Sequence, residues 1–152
     1  MPGGAVVIAP QCPKDEFWKN ENISSKVLAL IEEKKRTQPV DPDRVYITGL
    51  SMGGYGTWAL IQQKPFVFAA AIPICGGGDP SRTSSIKNLP VWIFHGDADN
   101  TVPTSLSRDM EAALKKSKGN VRYTEYPGVG HDSWTQTYAN NEVLEWLFSQ
   151  KR

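Results

Sequence analysis

Val45-Tyr46-Ile47-Thr48-Gly49-Leu50-Ser51-Met52-Gly53-Gly54 is the stretch on which the reading of this chain turns. Residues 45–48 are β-branched and aromatic, as strands prefer. They run into a G-x-S-x-G turn, and residues 53–63 then carry a helical pattern that stops before Pro65. In that context the serine sits on a tight, strained turn that lifts its hydroxyl into solvent. Side chains at Gly49 and Gly53 are expected to collide with the turn. The helix that follows points its positive dipole end and free N–H groups at the serine, so the N–H of Met52 is a natural donor to an oxyanion. A Gly-rich turn with a merely solvated serine would read the same, so the stretch gains meaning only from partners. A serine hydroxyl is a weak nucleophile until a base takes its proton.

Outward from this turn, strands and helices alternate. Residues 5–9 form a short apolar run closed by Pro10 and read as a buried strand, followed by a polar loop to Asn22 that contains Phe17 and Trp18. Residues 23–35 place Val27, Leu28, Leu30 and Ile31 at helical spacing. Asp41-Pro42-Asp43 is turn chemistry. Strands are expected at 69–74, 91–94 and 121–126, and helices at 105–116 and 141–148. Continuous apolar strands alternating with helices imply an α/β fold: a mostly parallel sheet covered by helices on both faces. Ligands in such sheets bind beyond the C-terminal strand ends, which here means just after Thr48, Ile74, Phe94 and Tyr126.

The chain has two histidines, and each follows one of those strands. His131 lies in Gly128-Val129-Gly130-His131-Asp132, after the last strand, where flanking glycines let it swing onto Ser51. His95 opens His95-Gly96-Asp97-Ala98-Asp99 and reads as a structural group hydrogen-bonded at a strand end. The order nucleophile, acid, histidine of α/β-hydrolases makes His131 the base and puts the acid in the 97–99 loop. Asp99 is the choice, because it lies further out than Asp97, which suits the loop amides. Asp132 adjoins the base too closely to orient its ring, and Asp79 reads as a turn residue. An orienting aspartate fixes the imidazole tautomer and stabilises the imidazolium as it forms.

Composition sets limits. The 152 residues suit one domain, 1–152, with a genuine core; 39% are hydrophobic and 22% charged. The net charge of +1 implies no nucleic-acid surface, and Lys34-Lys35-Arg36 reads as a solvated helix end. No apolar run approaches the ~20 residues that span a bilayer, and no signal peptide is visible at the start, so a soluble chain of open compartment is expected. Cys12 and Cys75 allow one disulfide or two free thiols, and metal and cofactor sites are not expected.

The runs 43–54, 95–99 and 130–132 together resemble the phospholipase/carboxylesterase and dienelactone-hydrolase-like group, including its bacterial "predicted peptidase" branch of esterases, some of them feruloyl or acetyl esterases. The likeness covers about residues 5–146. It implies Ser51 as nucleophile, Asp99 as acid and His131 as base of a serine hydrolase cleaving carboxylic esters. Members of that group carry further strands ahead of the 5–9 element, one of which lies between it and 45–48 and brings a second oxyanion donor. The resemblance therefore implies a sheet with a gap, a rearranged neighbour, or a partner chain against the edge; self-association into a homodimer is the arrangement expected, since an unpaired edge invites pairing. The loop at Gln11 is expected to rebuild part of the oxyanion hole. Trp18, Phe17, Tyr55 and Trp134 are expected to line an acyl or aromatic pocket. Two other readings stand beside the esterase: a serine peptidase of prolyl-oligopeptidase type, disfavoured by the lack of an oligopeptide-gating domain, and a non-catalytic binding module that keeps only the triad residues.

Overall fold

Side-chain alternation in four short strands sorts the core into two layers. In this computed structural model, which describes residues 4–152, the strands are β1 (Tyr46–Leu50), β2 (Ala70–Ile74), β3 (Val91–Gly96) and β4 (Val121–Tyr126). They form one sheet in the order β1-β2-β3-β4, and every pairing is parallel. Parallel neighbours need crossover connections, and helices supply them. One face carries Ile47, Ala71, Val91, Ile93, Val121 and Tyr123, packed under α1 (Glu21–Thr37), α2 (Met52–Gln63) and α3 (Ser105–Lys116) through Ile31, Trp58, Ile61, Met110 and Leu114. The other face carries Ala70, Ile72, Ile74, Trp92 and Phe94 under α4 (Trp134–Ala139) and α5 (Asn141–Ser149). β2 and β3 are buried along their whole length, which is why they read as unbroken apolar runs.

Besides short 3-10 turns at Pro65–Val67 and Pro80–Ile86, two elements depart from the sequence reading. Residues 5–9 are not a strand: Val6 and Val7 are exposed, at 49% and 84%, and only Ile8 leans on the core. A β-branched run becomes a strand only when a neighbour satisfies its backbone groups, and no strand pairs with these residues. β1 is thus bonded to β2 alone among the described residues. The second departure is α4, which was not expected. Asp132 Oδ1 accepts from the Thr135 N–H and hydroxyl and so caps its start. Tyr138, one turn after Trp134, donates to or accepts from Thr48 Oγ1 at 2.8 Å and fastens the helix to β1.

The first residues of the chain, 1–3, lie outside the described structure, and with them most of the start on which the signal-peptide reading rests. Both cysteines are free and buried. No described helix is long and apolar enough to cross a membrane.

Candidate active site

The C-terminal ends of all four strands converge on one place. Ser51 is the first residue after β1, with φ 52° and ψ −117°. A non-glycine residue held there costs ~1–3 kcal/mol, so the surroundings must fix it. They do: the Ser51 N–H donates to the Ile74 carbonyl at 3.0 Å and toward Cys75 Sγ at 3.3 Å. A Cβ at Gly49 would run into the Gly53 carbonyl, as the sequence suggests. Gly53 corrects the sequence reading, because a Cβ there meets nothing within 4 Å. A second glycine that cannot change, beside Gly49, is Gly54, whose Cβ would strike the Ile74 carbonyl and approach Gly76. Close approaches thus occur both within the turn, at Gly49, and between the start of α2 and the end of β2, at Gly54.

Asp99 is placed by the loop after β3. Its Oδ1 accepts from the Thr101 N–H at 2.8 Å and the Val102 N–H at 2.9 Å. Its side chain is fully buried. Burial alone would favour the neutral acid, but hydrogen bonds from His131 and from the Val102 and Thr101 amides outweigh it and hold the carboxyl below the usual range. His131 is placed by the loop after β4, which lies on the Asp99 loop: the Ala98 N–H donates to the Val129 carbonyl, and a Cβ at Gly96 would collide with that carbonyl. The Asp97 carboxylate accepts from the Gly128 N–H at 2.7 Å, so it is a loop tie.

These placements bring three side chains into line. His131 Nδ1 lies 2.8 Å from Asp99 Oδ2, and His131 Nε2 lies 2.9 Å from Ser51 Oγ. An ionised Asp99 only accepts, so Nδ1 carries the proton and Nε2 is free to accept the serine's. Trp134 meets the His131 ring edge-on at a centroid distance of 5.3 Å. Met52 opens α2, so its N–H is among those the helix leaves without an internal partner, and its side chain is 42% exposed beside Ser51. The Tyr55 ring borders Gly77; partial burial pushes its hydroxyl up, and the Asp99 charge adds to this.

Other expected site residues sit differently. Trp18 packs on α2, where it would block a Cβ at Gly56. The Gln11 side chain is exposed and donates to its neighbour's carbonyl on Cys12, and no hydrogen bond ties it to the serine turn. Phe17 is 54% exposed. The sequence reading offered Cys75 only as one of two thiols, free or paired, though it follows β2 at a strand end where chemistry was expected. Its thiol is fully buried, and burial pushes its ionisation up although the Ser51 amide acts the other way. Cys75, Asp99 and His131 are the one described group of metal-ligating types within 4.8 Å of one another, but their donor atoms are already engaged with each other and with Ser51.

A parallel sheet flanked by helices, with a serine on a strained turn after one strand and the acid and histidine after later ones, defines an α/β-hydrolase fold. The chain belongs to the dienelactone hydrolase family, whose model matches residues 9–144. A solved thermostable esterase superposes with a TM-score of 0.91 at 44% identity, over 94% of this chain and 43% of that one. Among curated proteins, a probable carboxylesterase SOBER1-like of Arabidopsis thaliana is 29% identical over 143 residues, 90% of this chain and 52% of its own. Acyl-protein thioesterase 1 of Neurospora crassa is 27% identical over 157 residues, 88% of this chain and 60% of its own. The chain thus spans roughly half the length of the relatives it matches.

Proposed function

We propose that this chain carries the chemistry of a serine hydrolase that cleaves carboxylic esters through an acyl-enzyme, with residues 1–152 working as one α/β-hydrolase domain. The observation that carries the reading is the hydrogen-bonded line Ser51–His131–Asp99 at 2.9 and 2.8 Å. Ser51 Oγ attacks the ester carbonyl while His131 Nε2 takes its proton. Asp99, kept ionised by its three hydrogen bonds, holds Nδ1–H and stabilises the imidazolium. The Met52 N–H faces the developing oxyanion. Collapse breaks the ester C–O bond, and the leaving alcohol takes the proton from Nε2. Water then repeats the sequence: His131 accepts its proton, hydroxide adds to the acyl carbon, and Ser51 leaves reprotonated with the free acid.

Met52, Tyr55 and Trp134 supply an apolar rim that suits a short acyl or aromatic acid group. The names of the relatives above, esterase, carboxylesterase and thioesterase, agree with an acyl substrate. With Met52 as the one oxyanion donor assigned among the described residues, turnover should lie ~10²–10³ below that of a two-donor site. A panel of short-chain and hydroxycinnamoyl esters, with peptide substrates beside it, tests the reading. Ester turnover is expected, and Ser51→Ala should lower it by at least ~10³-fold. Turnover that survives Ser51→Ala, or peptide cleavage without ester cleavage, would overturn it.

The open edge of β1 carries a second proposal: a second copy of the chain covers it.

A further inference from the structure

His95 is the other histidine of the chain, is fully buried, and takes no part in the reaction sequence above. Its contacts are with the machinery nonetheless. Nε2 lies 3.0 Å from the Val102 carbonyl and 3.2 Å from Asp99 Oδ2, the same oxygen that holds His131. Both partners are acceptors, so Nε2 must carry the proton. Nδ1 lies 2.7 Å from the Ser107 hydroxyl on α3, whose oxygen is also 3.5 Å from the Gly76 carbonyl; with the proton on Nε2, the shorter of these two contacts is the one that Ser107 donates to Nδ1. Val102 is gripped from both ends: its N–H donates to Asp99 Oδ1 and its carbonyl accepts from His95.

We infer that His95 is a positioning residue for the acid of the triad, holding the Asp99 loop through Val102 and drawing charge from Asp99 Oδ2 with a fixed Nε2–H donor. The inference rests on the serine-hydrolase reading of Ser51, His131 and Asp99. Its consequence has a sign. A donor near Oδ2 weakens that oxygen's pull on the His131 proton, so removing the donor leaves more negative charge facing the imidazolium. The acidic limb of Ser51 labelling is then expected to move up. The other groups near His131 are Ser51, the Cys75 thiol and Asp132 in its own loop, while the Tyr55 hydroxyl on α2 feels the Asp99 charge. Those facing His95 are Ser107 and, across the β3–β4 register, Glu125, which is itself paired with Arg108.

Two side-chain amides separate the roles of the two ring nitrogens. Glutamine places an N–H near the position of Nε2, whereas asparagine reaches only that of Nδ1. The readout is the rate at which a fluorophosphonate labels Ser51, followed across pH for the parent, His95→Asn and His95→Gln. His95→Asn should slow labelling roughly tenfold or more and move the acidic limb up. His95→Gln should return both toward the parent. A parental rate and limb in His95→Asn, or equal damage in the two variants, would overturn the inference. A parent that is not labelled at all would instead sink the hydrolase reading. Nitrogen-15 imidazole spectra of the unsubstituted protein, with only two histidines to assign, test the inference without any variant. His95 protonated at Nε2 supports it; His95 protonated at Nδ1 overturns it.

Discussion

At the scale of single residues, the catalytic line was legible because its chemistry forces an order along the chain. Ser51 announces itself by its turn, and only one of two histidines follows the acid loop. Of the two motif glycines, the need for Gly49 was legible and holds; the second glycine the turn depends on was not. Beside Gly49 the motif spacing points at Gly53, but the second close contact joins Gly54 to Ile74 and Gly76, residues that meet only when α2 docks on the end of β2. This makes a sharp pair of predictions. Gly54→Ala should destabilise the protein by ~1–3 kcal/mol through overpacking. Gly53→Ala, with open space at its Cβ and a helical position to fill, should be neutral or stabilising by up to ~1 kcal/mol. Urea midpoints of the two variants check this, and a reversed order would refute the contact. His95 illustrates the opposite limit: its structural reading holds for its surroundings, but its nearness to Asp99 Oδ2 depends on a loop closing back on the strand end, which no local pattern encodes.

At the scale of elements, burial on both faces gave β2 and β3 their unbroken apolar runs, and β4 and α3 could be bounded from the sequence. Residues 5–9 have an equally strong local preference and still form no strand, because a strand is a pairing and not a property of five residues. α4 escaped notice because its Asp132 cap sits beside the histidine and drew attention as a possible acid. The far face of the sheet depends on α5, which follows every site residue in the chain and anchors through Val143 and Leu147, at 0% and 5% exposure. Leu147→Ala should cost ~2–5 kcal/mol in a denaturant titration, yet leave the labelling of Ser51 in the folded fraction unchanged. A loss of reactivity out of proportion to stability would show that α5 reaches the site by a route the packing does not reveal.

For the molecule as a whole, the sheet layout and the convergence of its strand ends were accessible from periodicity and from the resemblance, whereas the state of the β1 edge was not, since it depends on what lies beside it. If a second copy covers that edge, sedimentation at micromolar concentration gives twice the chain mass; a mass that stays at one chain contradicts self-association. The central claim is that this chain assembles an activated serine. It is tested most directly by intact mass after incubation with a fluorophosphonate, on the parent and on Ser51→Ala. The account predicts one adduct, mapped to Ser51 and absent from the variant. No adduct under conditions that label a control hydrolase would mean that the line from Asp99 to Ser51 does not activate the serine, and the chain would then be a binding module that keeps the triad residues without their reactivity.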